Sequence, residues 1–121
     1  MEPKKSDDEK KLRDSAIQEA TRRAILVPFS VMEIAWSGFE LIKEMVINGN
    51  PNSITDAGVG ALALRSCIKG ASLNVKINTL GLSDKEFAKE ILSRSSEIES
   101  KAETAESEIL QLILSRINQE F

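Results

Sequence analysis

The stretch that decides the fold is residues 49–78, which read GNPNSITDAGVGALALRSCIKGASLNVKIN. It begins as a turn and continues as an apolar helix. Gly58, Gly60 and Gly70 lie inside that helix, where each glycine costs roughly 1 kcal/mol relative to alanine. A helix that carries this cost three times needs either close packing or a ligand to explain it.

Turn and capping residues define the ends of this helix. Asn50-Pro51-Asn52 is typical of a turn. Ser53 followed by Asp56 is an N-cap pattern, and Gly81 suits the position just after a helix end. We therefore expect a helix over residues 54–80.

The C-terminal third predicts one long helix. Ser83 and Glu86 form a capping box, and no glycine or proline interrupts residues 84–121. Apolar residues recur at seven-residue spacing, as in a coiled-coil seam, and a helix of this length could reach a neighbouring subunit. The seam residues are Phe87, Ile91, Ile98, Ala102, Ala105, Ile109 and Leu112.

The N-terminal tract predicts two helical segments. A capping box at Ser6 and Glu9 opens the first. Pro28 lacks an N–H group, so we expect a break or kink near Leu26–Pro28. A stop is expected at Asn48-Gly49, where either residue can adopt the left-handed conformation. Apolar positions are Ala16, Ile17, Ala20, Ala24 and Ile25 before the proline, and Val31, Ile34, Ala35, Leu41, Ile42 and Met45 after it.

The composition favours a small all-α domain. The 121 residues are 41% hydrophobic and 29% charged, and nothing is typical of a strand. We expect a single domain over residues 1–121, an antiparallel up-and-down helical bundle whose modest core favours dimerisation through helix faces. The net charge of −3 argues against nucleic acid as a partner. A charged N-terminus, and no apolar run long enough for a bilayer, predict a cytoplasmic protein without a membrane partner.

The residues that are missing limit the chemistry. The chain has no histidine and one cysteine, which excludes an imidazole base, a histidine-ligated metal, an internal disulfide and a multi-cysteine metal site. Acid–base chemistry must use carboxylates, lysine or bound water, unless a partner chain supplies the group. We expect Cys67 to be a small packed residue, since no activating partner is visible. Trp36 is expected in the core or an interface.

One narrow stripe of the predicted helix carries a carboxylate, small residues and two amides, given about 100° of rotation per residue. Apolar residues flank the stripe on both sides, so we expect neighbours on both sides. The stripe is either a seam where another helix comes close or the floor of a groove. Its members are Asp56, Gly60, Ala63, Cys67, Gly70, Asn74 and Asn78; the flanks are Leu64, Ile68, Ala71 and Val75 on one side, and Val59, Leu62, Leu73, Ile77 and Leu80 on the other.

Several of these residues allow two interpretations. Asn74 and Asn78, if buried, must find hydrogen-bond partners, and a polar ligand would be one. Asp56 could serve the helix N-terminus alone. Opposite the stripe, a solvated face is the simpler interpretation of the charges and a binding strip for an anionic ligand tail is the alternative. That side carries Gly58, Arg65, Lys69 and Lys76.

Six segments, in order along nearly the whole chain, resemble one known family. They are Glu2-Pro3-Lys4-Lys5 through Lys11, Ala16-Ile17-Gln18-Glu19-Ala20-Thr21, Val27-Pro28, Gly49-Asn50-Pro51-Asn52, Asp56-Ala57-Gly58-Val59 and Leu73-Asn74-Val75-Lys76-Ile77-Asn78. The family is that of the formiminotransferase-cyclodeaminases, with the related methenyltetrahydrofolate cyclohydrolases. Its domains are longer and begin with a Pro-Gly-Gly-Gly-Ser segment that this chain lacks. We therefore expect the C-terminal part of a cyclodeaminase domain.

The resemblance implies an enzyme that converts 5-formiminotetrahydrofolate to 5,10-methenyltetrahydrofolate and ammonia, in folate one-carbon metabolism and histidine degradation. No cofactor is implied. One carboxyl group can take the proton from N10 and then give it to the leaving nitrogen. Asp56 is the implied acid/base, or it orients the pterin amidine. The implied substrate-binding residues are Asn50, Asn52, Asn74 and Asn78, with Lys69 or Lys76 meeting the glutamate tail of a mono- or polyglutamylated folate.

The resemblance also implies sites in a groove between subunits, and hence a homo-oligomer. Two alternatives stay open. One is a methenyltetrahydrofolate cyclohydrolase, which shares the methenyl compound. The other is a truncated, non-catalytic helical module that uses the fold for oligomerisation, which the missing glycine-rich segment favours.

Overall fold

The protein folds as three helices. The computed structural model describes the backbone of residues 3–120 and the side chains of residues 6–118. Helix α1 spans Pro3–Asn48, α2 spans Ile54–Thr79 and α3 spans Lys85–Glu120. A 3₁₀ turn over Pro51–Ser53 joins α1 to α2. No strand occurs among residues 3–120, and the predicted all-α up-and-down bundle is confirmed.

Contacts between helices fix their directions. Gly60 of α2 faces Ile42 of α1, whereas Asn78, near the other end of α2, faces Ala24. Residues that ascend along α2 therefore meet residues that descend along α1, and the two helices are antiparallel. Helix α3 runs back along α2 and so lies parallel to α1.

The core lies where the three helices meet. Ile25 and Met32 of α1, Ile68 and Val75 of α2 and Ile109 of α3 are at most 1% exposed. The predicted seam of α3 is confirmed over most of its length. At its C-terminal end Ile113 turns inward while Leu112 is 37% exposed, because a 3.6-residue turn drifts away from a strict seven-residue repeat.

Helix α1 continues through Pro28, so of the predicted break or kink the break is wrong. Pro28 cannot donate a hydrogen bond to the carbonyl oxygen of Ala24, one helical turn earlier. The side-chain amide of Asn78 donates to that oxygen from α2 at 3.5 Å. Ile25 and Phe29, on either side of the proline, are both buried. Tertiary contacts therefore hold together a helix that local chemistry alone would interrupt.

Two predicted caps are wrong. Helix α1 already begins at Pro3, where proline is well tolerated, so Ser6 is not its N-cap. Helix α3 is capped by Asp84 rather than Ser83: the Asp84 carboxylate accepts a hydrogen bond from the Phe87 N–H at 3.1 Å. The backbone N–H of Ser83 donates instead to the Gln18 side chain at 2.7 Å.

The C-terminal ends of α1 and α2 lie where they were predicted, but the reason for Gly49 is different. Helix α1 stops at Asn48 and α2 at Thr79, two residues before Gly81. None of the described residues has a positive φ, so the expected left-handed conformation is wrong. Gly49 is required by close approach, since an added Cβ would lie 2.2 Å from the Met45 carbonyl oxygen. Phe121, the last residue of the predicted α3, lies outside the described residues.

Much of the apolar surface of α1 faces outward. Ala16, Ile17, Ala20 and Ala24 are exposed, and only Ile25 of the predicted first apolar face reaches the core. Beyond Pro28 a single inward stripe supplies the core, whereas the remaining apolar positions form a second stripe on the outside. Ala35 and Ile42 belong to the inward stripe; Val31, Ile34, Leu41 and Met45 belong to the outward one.

By length and composition alone, α1 contains a stretch that could cross a membrane, which corrects the expectation that the chain has no such run. A mostly buried core helix of a soluble protein and an N-terminal signal sequence pass the same test. This stretch lies near the N-terminus and only 28% of it is buried, so most of it is apolar surface that α2 and α3 leave uncovered.

Replacing Asp84 by alanine is expected to destabilise the fold by about 1 kcal/mol, because the α3 N-terminus loses its side-chain cap. Ser83→Ala is the matched control and should be nearly neutral, since Ser83 acts through its backbone N–H. Urea unfolding followed by circular dichroism measures both. A larger loss for Ser83→Ala than for Asp84→Ala would contradict the observed cap.

Candidate functional site: a groove between α1 and α2

The stripe of small residues on α2 is largely open. Cys67, Gly70 and Asn74 are exposed, so the prediction that Cys67 is packed is wrong. Only Gly60 makes a close approach, since an added Cβ would lie 2.8 Å from the Ile42 side chain. An added Cβ on Gly70 would meet nothing within 4 Å. A packing seam therefore explains the stripe at Gly60 alone.

Along its C-terminal half, the stripe forms one wall of a shallow groove between α1 and α2. The groove has a volume of about 490 Å³. Its α1 wall is apolar and includes Pro28, whereas the α2 wall carries the thiol and both amides. The α1 residues are Ala24, Val27, Pro28 and Val31, and the α2 residues are Cys67, Ala71, Asn74 and Asn78.

The side-chain amide nitrogen of Asn78 has two acceptors. One bond goes to the Asn74 carbonyl oxygen at 2.8 Å, and the other crosses to the Ala24 carbonyl oxygen at 3.5 Å. Both bonds use the side-chain nitrogen, so the Asn78 side-chain oxygen is left to accept a hydrogen bond from a ligand. A fixed acceptor of this kind suits a ligand that presents N–H donors.

Asp56 does not lie in this groove. It is exposed in the first turn of α2, 22 positions before Asn78, which is roughly 33 Å along a helix. Nearby, the Asn50 side chain accepts a hydrogen bond from the Asn52 N–H at 3.0 Å and shapes the 3₁₀ turn. Ser53 is the N-cap residue but forms no side-chain cap. The predicted site residues thus form two groups at opposite ends of α2.

The predicted lysines lie away from the groove. Lys76 pairs with Glu99 of α3 at 3.4 Å, and Lys69 is exposed. Arg65 is only 13% exposed, with its guanidinium 3.6 Å from Glu103, so a solvated face is the wrong interpretation for Arg65. Gly58 is also covered, since its backbone faces Ile113. Helix α3 packs over this side of α2.

The α1 wall was missed by the sequence analysis. A proline inside a helical pattern leaves the carbonyl four residues earlier without its usual donor. For Pro28 that carbonyl belongs to Ala24. The rule therefore predicts that a donor from a neighbouring helix, such as a side-chain amide, binds the Ala24 carbonyl oxygen. Asn78 is such an amide, but spacing along one helix does not say which residues of another helix it faces.

A second groove, between α1 and α3, has a volume of about 480 Å³ and an apolar floor. Trp36 is half-buried in its wall, with its ring centroid 5.6 Å from that of Phe39. Its polar rim is mixed in charge, with Glu40 and Lys43 on α1. None of the residues predicted for the site lies in this groove.

Comparison with known proteins decides the family. The family model described as formiminotransferase-cyclodeaminase matches residues 1–97. The chain belongs to the formiminotransferase-cyclodeaminase family. The resemblance seen in its sequence segments is confirmed.

The similar curated proteins include a methenyltetrahydrofolate cyclohydrolase and several formimidoyltransferase-cyclodeaminases. A methenyltetrahydrofolate cyclohydrolase of Methylorubrum extorquens is 34% identical over 116 residues, which are 96% of this chain and 56% of the relative. A formimidoyltransferase-cyclodeaminase of Sus scrofa is 31% identical over 114 residues, or 94% of this chain and 21% of the relative. The corresponding protein of Dictyostelium discoideum is 33% identical over 104 residues, or 86% and 19%. The chain spans about half the length of the first relative and about a fifth of the others.

The bond from Asn78 to Ala24 predicts a thermodynamic coupling with Pro28. In Pro28→Ala, the alanine N–H can satisfy the Ala24 carbonyl within α1, so the Asn78 bond becomes redundant. We expect Asn78→Ala to cost about 1 kcal/mol of unfolding free energy in the wild-type chain and clearly less in the Pro28→Ala background. A double-mutant cycle by urea unfolding measures this difference, and additive effects would contradict it.

Proposed function

We propose that this chain binds a reduced folate in the groove between α1 and α2 and forms part of a cyclodeaminase site. The proposed reaction converts 5-formiminotetrahydrofolate to 5,10-methenyltetrahydrofolate with release of ammonia, in the cytoplasm, as a step of histidine degradation. The observation that carries the proposal is the fixed Asn78 acceptor in a groove of a chain whose relatives are named for folate reactions.

The groove suits the pterin end of a folate. A pterin ring is flat and presents ring N–H and amino donors along one edge. The Asn78 oxygen can accept from that edge, and the Asn74 amide, exposed one turn earlier, is available beside it. Pro28 and Val31 supply an apolar wall for the ring face. Lys69 and Lys76 do not line this groove, and Lys76 pairs with Glu99 of α3, so the proposed pose gives neither lysine a contact with the glutamate tail.

Asp56 is the proposed acid/base. The formimino group enters the reaction protonated, as an amidinium. The folate N10 attacks the formimino carbon, and the N10 proton passes to the Asp56 carboxylate as the N10–C bond forms. The carboxyl group then gives that proton to the exocyclic amino group, whose bond to carbon breaks, so that ammonia leaves and the cationic methenyl bridge forms. The carboxylate is regenerated and the carbon keeps its oxidation state, so no redox cofactor or metal is needed for the balance.

A single chain does not bring these groups together, because Asp56 and Asn78 are roughly 33 Å apart along α2. The proposal therefore requires a second polypeptide, and a homo-oligomer is the simplest source. The same separation favours the second candidate, a helical module without its own catalysis. Turnover of folate by the purified chain distinguishes the two.

Asp56→Asn is expected to lower the rate of methenyltetrahydrofolate formation by about 10²–10⁴-fold, the usual contribution of a general acid/base, with little change in helicity or folate binding. Asp14→Asn, an exposed carboxylate near the N-terminus of α1, is the matched control and should keep full activity. Absorbance of the methenyl product measures the rate.

Near-normal turnover by Asp56→Asn would remove Asp56 from the mechanism. Turnover of 5,10-methenyltetrahydrofolate by water, without any ammonia release from the formimino compound, would favour the cyclohydrolase over the cyclodeaminase. Folate binding without either reaction would favour the non-catalytic module.

A further inference from the structure

The C-terminal half of α3 crosses the connection between α1 and α2. Ile113 lies over Gly58 in the second turn of α2, where an added Cβ would be 3.0 Å from the Ile113 side chain. Three residues further along α3, Arg116 is half-buried and reaches the last carbonyl groups of α1. The family model matches residues 1–97, so Ile113 and Arg116 lie beyond the part of the chain that it covers.

The end of α1 lacks backbone donors for its last carbonyl groups, as helix ends generally do. The Gly49 N–H donates to the Met45 carbonyl oxygen at 2.9 Å, and the next carbonyl groups along the chain are those of Val46 and Ile47. In a continued helix the Ile47 carbonyl would bind the N–H of residue 51, which is a proline and has none. These carbonyl groups therefore need a donor from another part of the chain.

Arg116 supplies that donor from α3. Its guanidinium donates through Nη1 to the Val46 carbonyl oxygen and through Nη2 to the Ile47 carbonyl oxygen, the latter at 3.4 Å. A guanidinium suits this place because it presents several N–H groups in one plane and because its positive charge is stabilising at the negative end of a helix dipole. As at Pro28, a side chain from another helix replaces the donor that a proline lacks.

The turn that follows these carbonyl groups is held from within by Asn50. The Asn50 side chain accepts a hydrogen bond from the Asn52 N–H at 3.0 Å, and the Asn50 carbonyl oxygen accepts one from the Ser53 N–H at 2.9 Å. Ser53 forms no side-chain cap on α2. The start of α2 therefore takes its position from this turn rather than from a cap of its own, and the turn takes its position from the end of α1.

We propose that Arg116 is a positioning residue: by holding the end of α1 it fixes the turn at Asn50 and, through that turn, the Asp56 carboxylate in the first turn of α2. The role towards Asp56 rests on the proposed function, but the anchoring of the turn does not. A misplacement of about 1 Å can cost about 10²-fold in rate. A loosened turn should therefore lower kcat, while folate affinity at the Asn78 end of α2 stays unchanged.

Amide hydrogen exchange tests the anchor independently of turnover. Arg116→Met keeps a long side chain but loses the donors and the charge, so the Asn52 and Ser53 amides should exchange about tenfold faster or more. The Ser83 amide, which donates to Gln18 at the opposite end of α2, should exchange at its wild-type rate. Gln18→Ala is the matched control and should give the reverse pattern.

Steady-state kinetics test the role towards Asp56. Arg116→Met is expected to lower kcat for methenyltetrahydrofolate formation by about 10- to 100-fold, with KM unchanged. Arg116→Lys keeps the charge and a single donor group, so it should recover part of the loss. Arg13→Met removes an exposed arginine near the N-terminus of α1 and should change neither constant.

Equal acceleration of the Asn52 and Ser83 amides in Arg116→Met would overturn the proposal, because it would give Arg116 a general role in stability. Wild-type exchange at Asn52 would overturn it as well. So would an unchanged kcat in Arg116→Met when Asp56→Asn lowers kcat. The expected exchange pattern in a chain that shows no folate turnover would support the anchor while the proposed function fails.

Discussion

The constraint on which the structure depends is the apolar surface of α2, which runs around most of its circumference. Two neighbours can cover only part of it. Helix α1 covers the side that carries Gly60 and Asn78, and α3 covers the side that carries Arg65 and Gly58. The remaining side of α2 is exposed to solvent although it carries apolar residues. The groove between α1 and α2 is one consequence of this incomplete cover.

Pro28 explains one hydrogen bond between α1 and α2. A proline inside a long helix leaves one carbonyl oxygen without its intrahelical donor, and that oxygen attracts an amide from the next helix. Asn78 supplies the amide. The same bond fixes which atom of Asn78 remains for a ligand, so a local defect of one helix sets the hydrogen-bonding character of the groove. Family membership makes a folate the natural ligand to propose for it.

The sequence predicts the ends of a helix well where residues close in the chain determine them. The predicted helix over residues 54–80 differs from α2 by one residue, since Ser53 is at the N-cap position and Gly81 follows the C-cap residue Leu80. Prediction fails where another helix decides. The break at Pro28 is absent because Asn78 and the flanking core residues compensate for it. The α3 cap lies one residue later than predicted, at Asp84, while the backbone N–H of Ser83 donates to Gln18 of α1.

The placement of the predicted site residues in the fold was predicted only in part, and for a related reason. Helical spacing gives the angles between residues on α2 but not which angle faces the core. It therefore placed Asn74 and Asn78 correctly on one stripe, yet it expected Cys67 to be packed and Arg65 to be solvated. Spacing also ignores distance along the axis, so it grouped Asp56 with Asn78 although both cannot touch one reacting centre within a single chain.

Mixing two inactive variants tests most directly whether the site is shared between copies. Asp56→Asn and Asn78→Ala chains, each with its helicity checked, are unfolded together and refolded, so that about half of the dimers contain one chain of each kind. If Asp56 acts on the groove of its partner, each mixed dimer has one intact site, and about a quarter of the wild-type cyclodeaminase activity should return. If both residues act within one chain, no dimer has an intact site, and a mixture as inactive as its components would contradict the account.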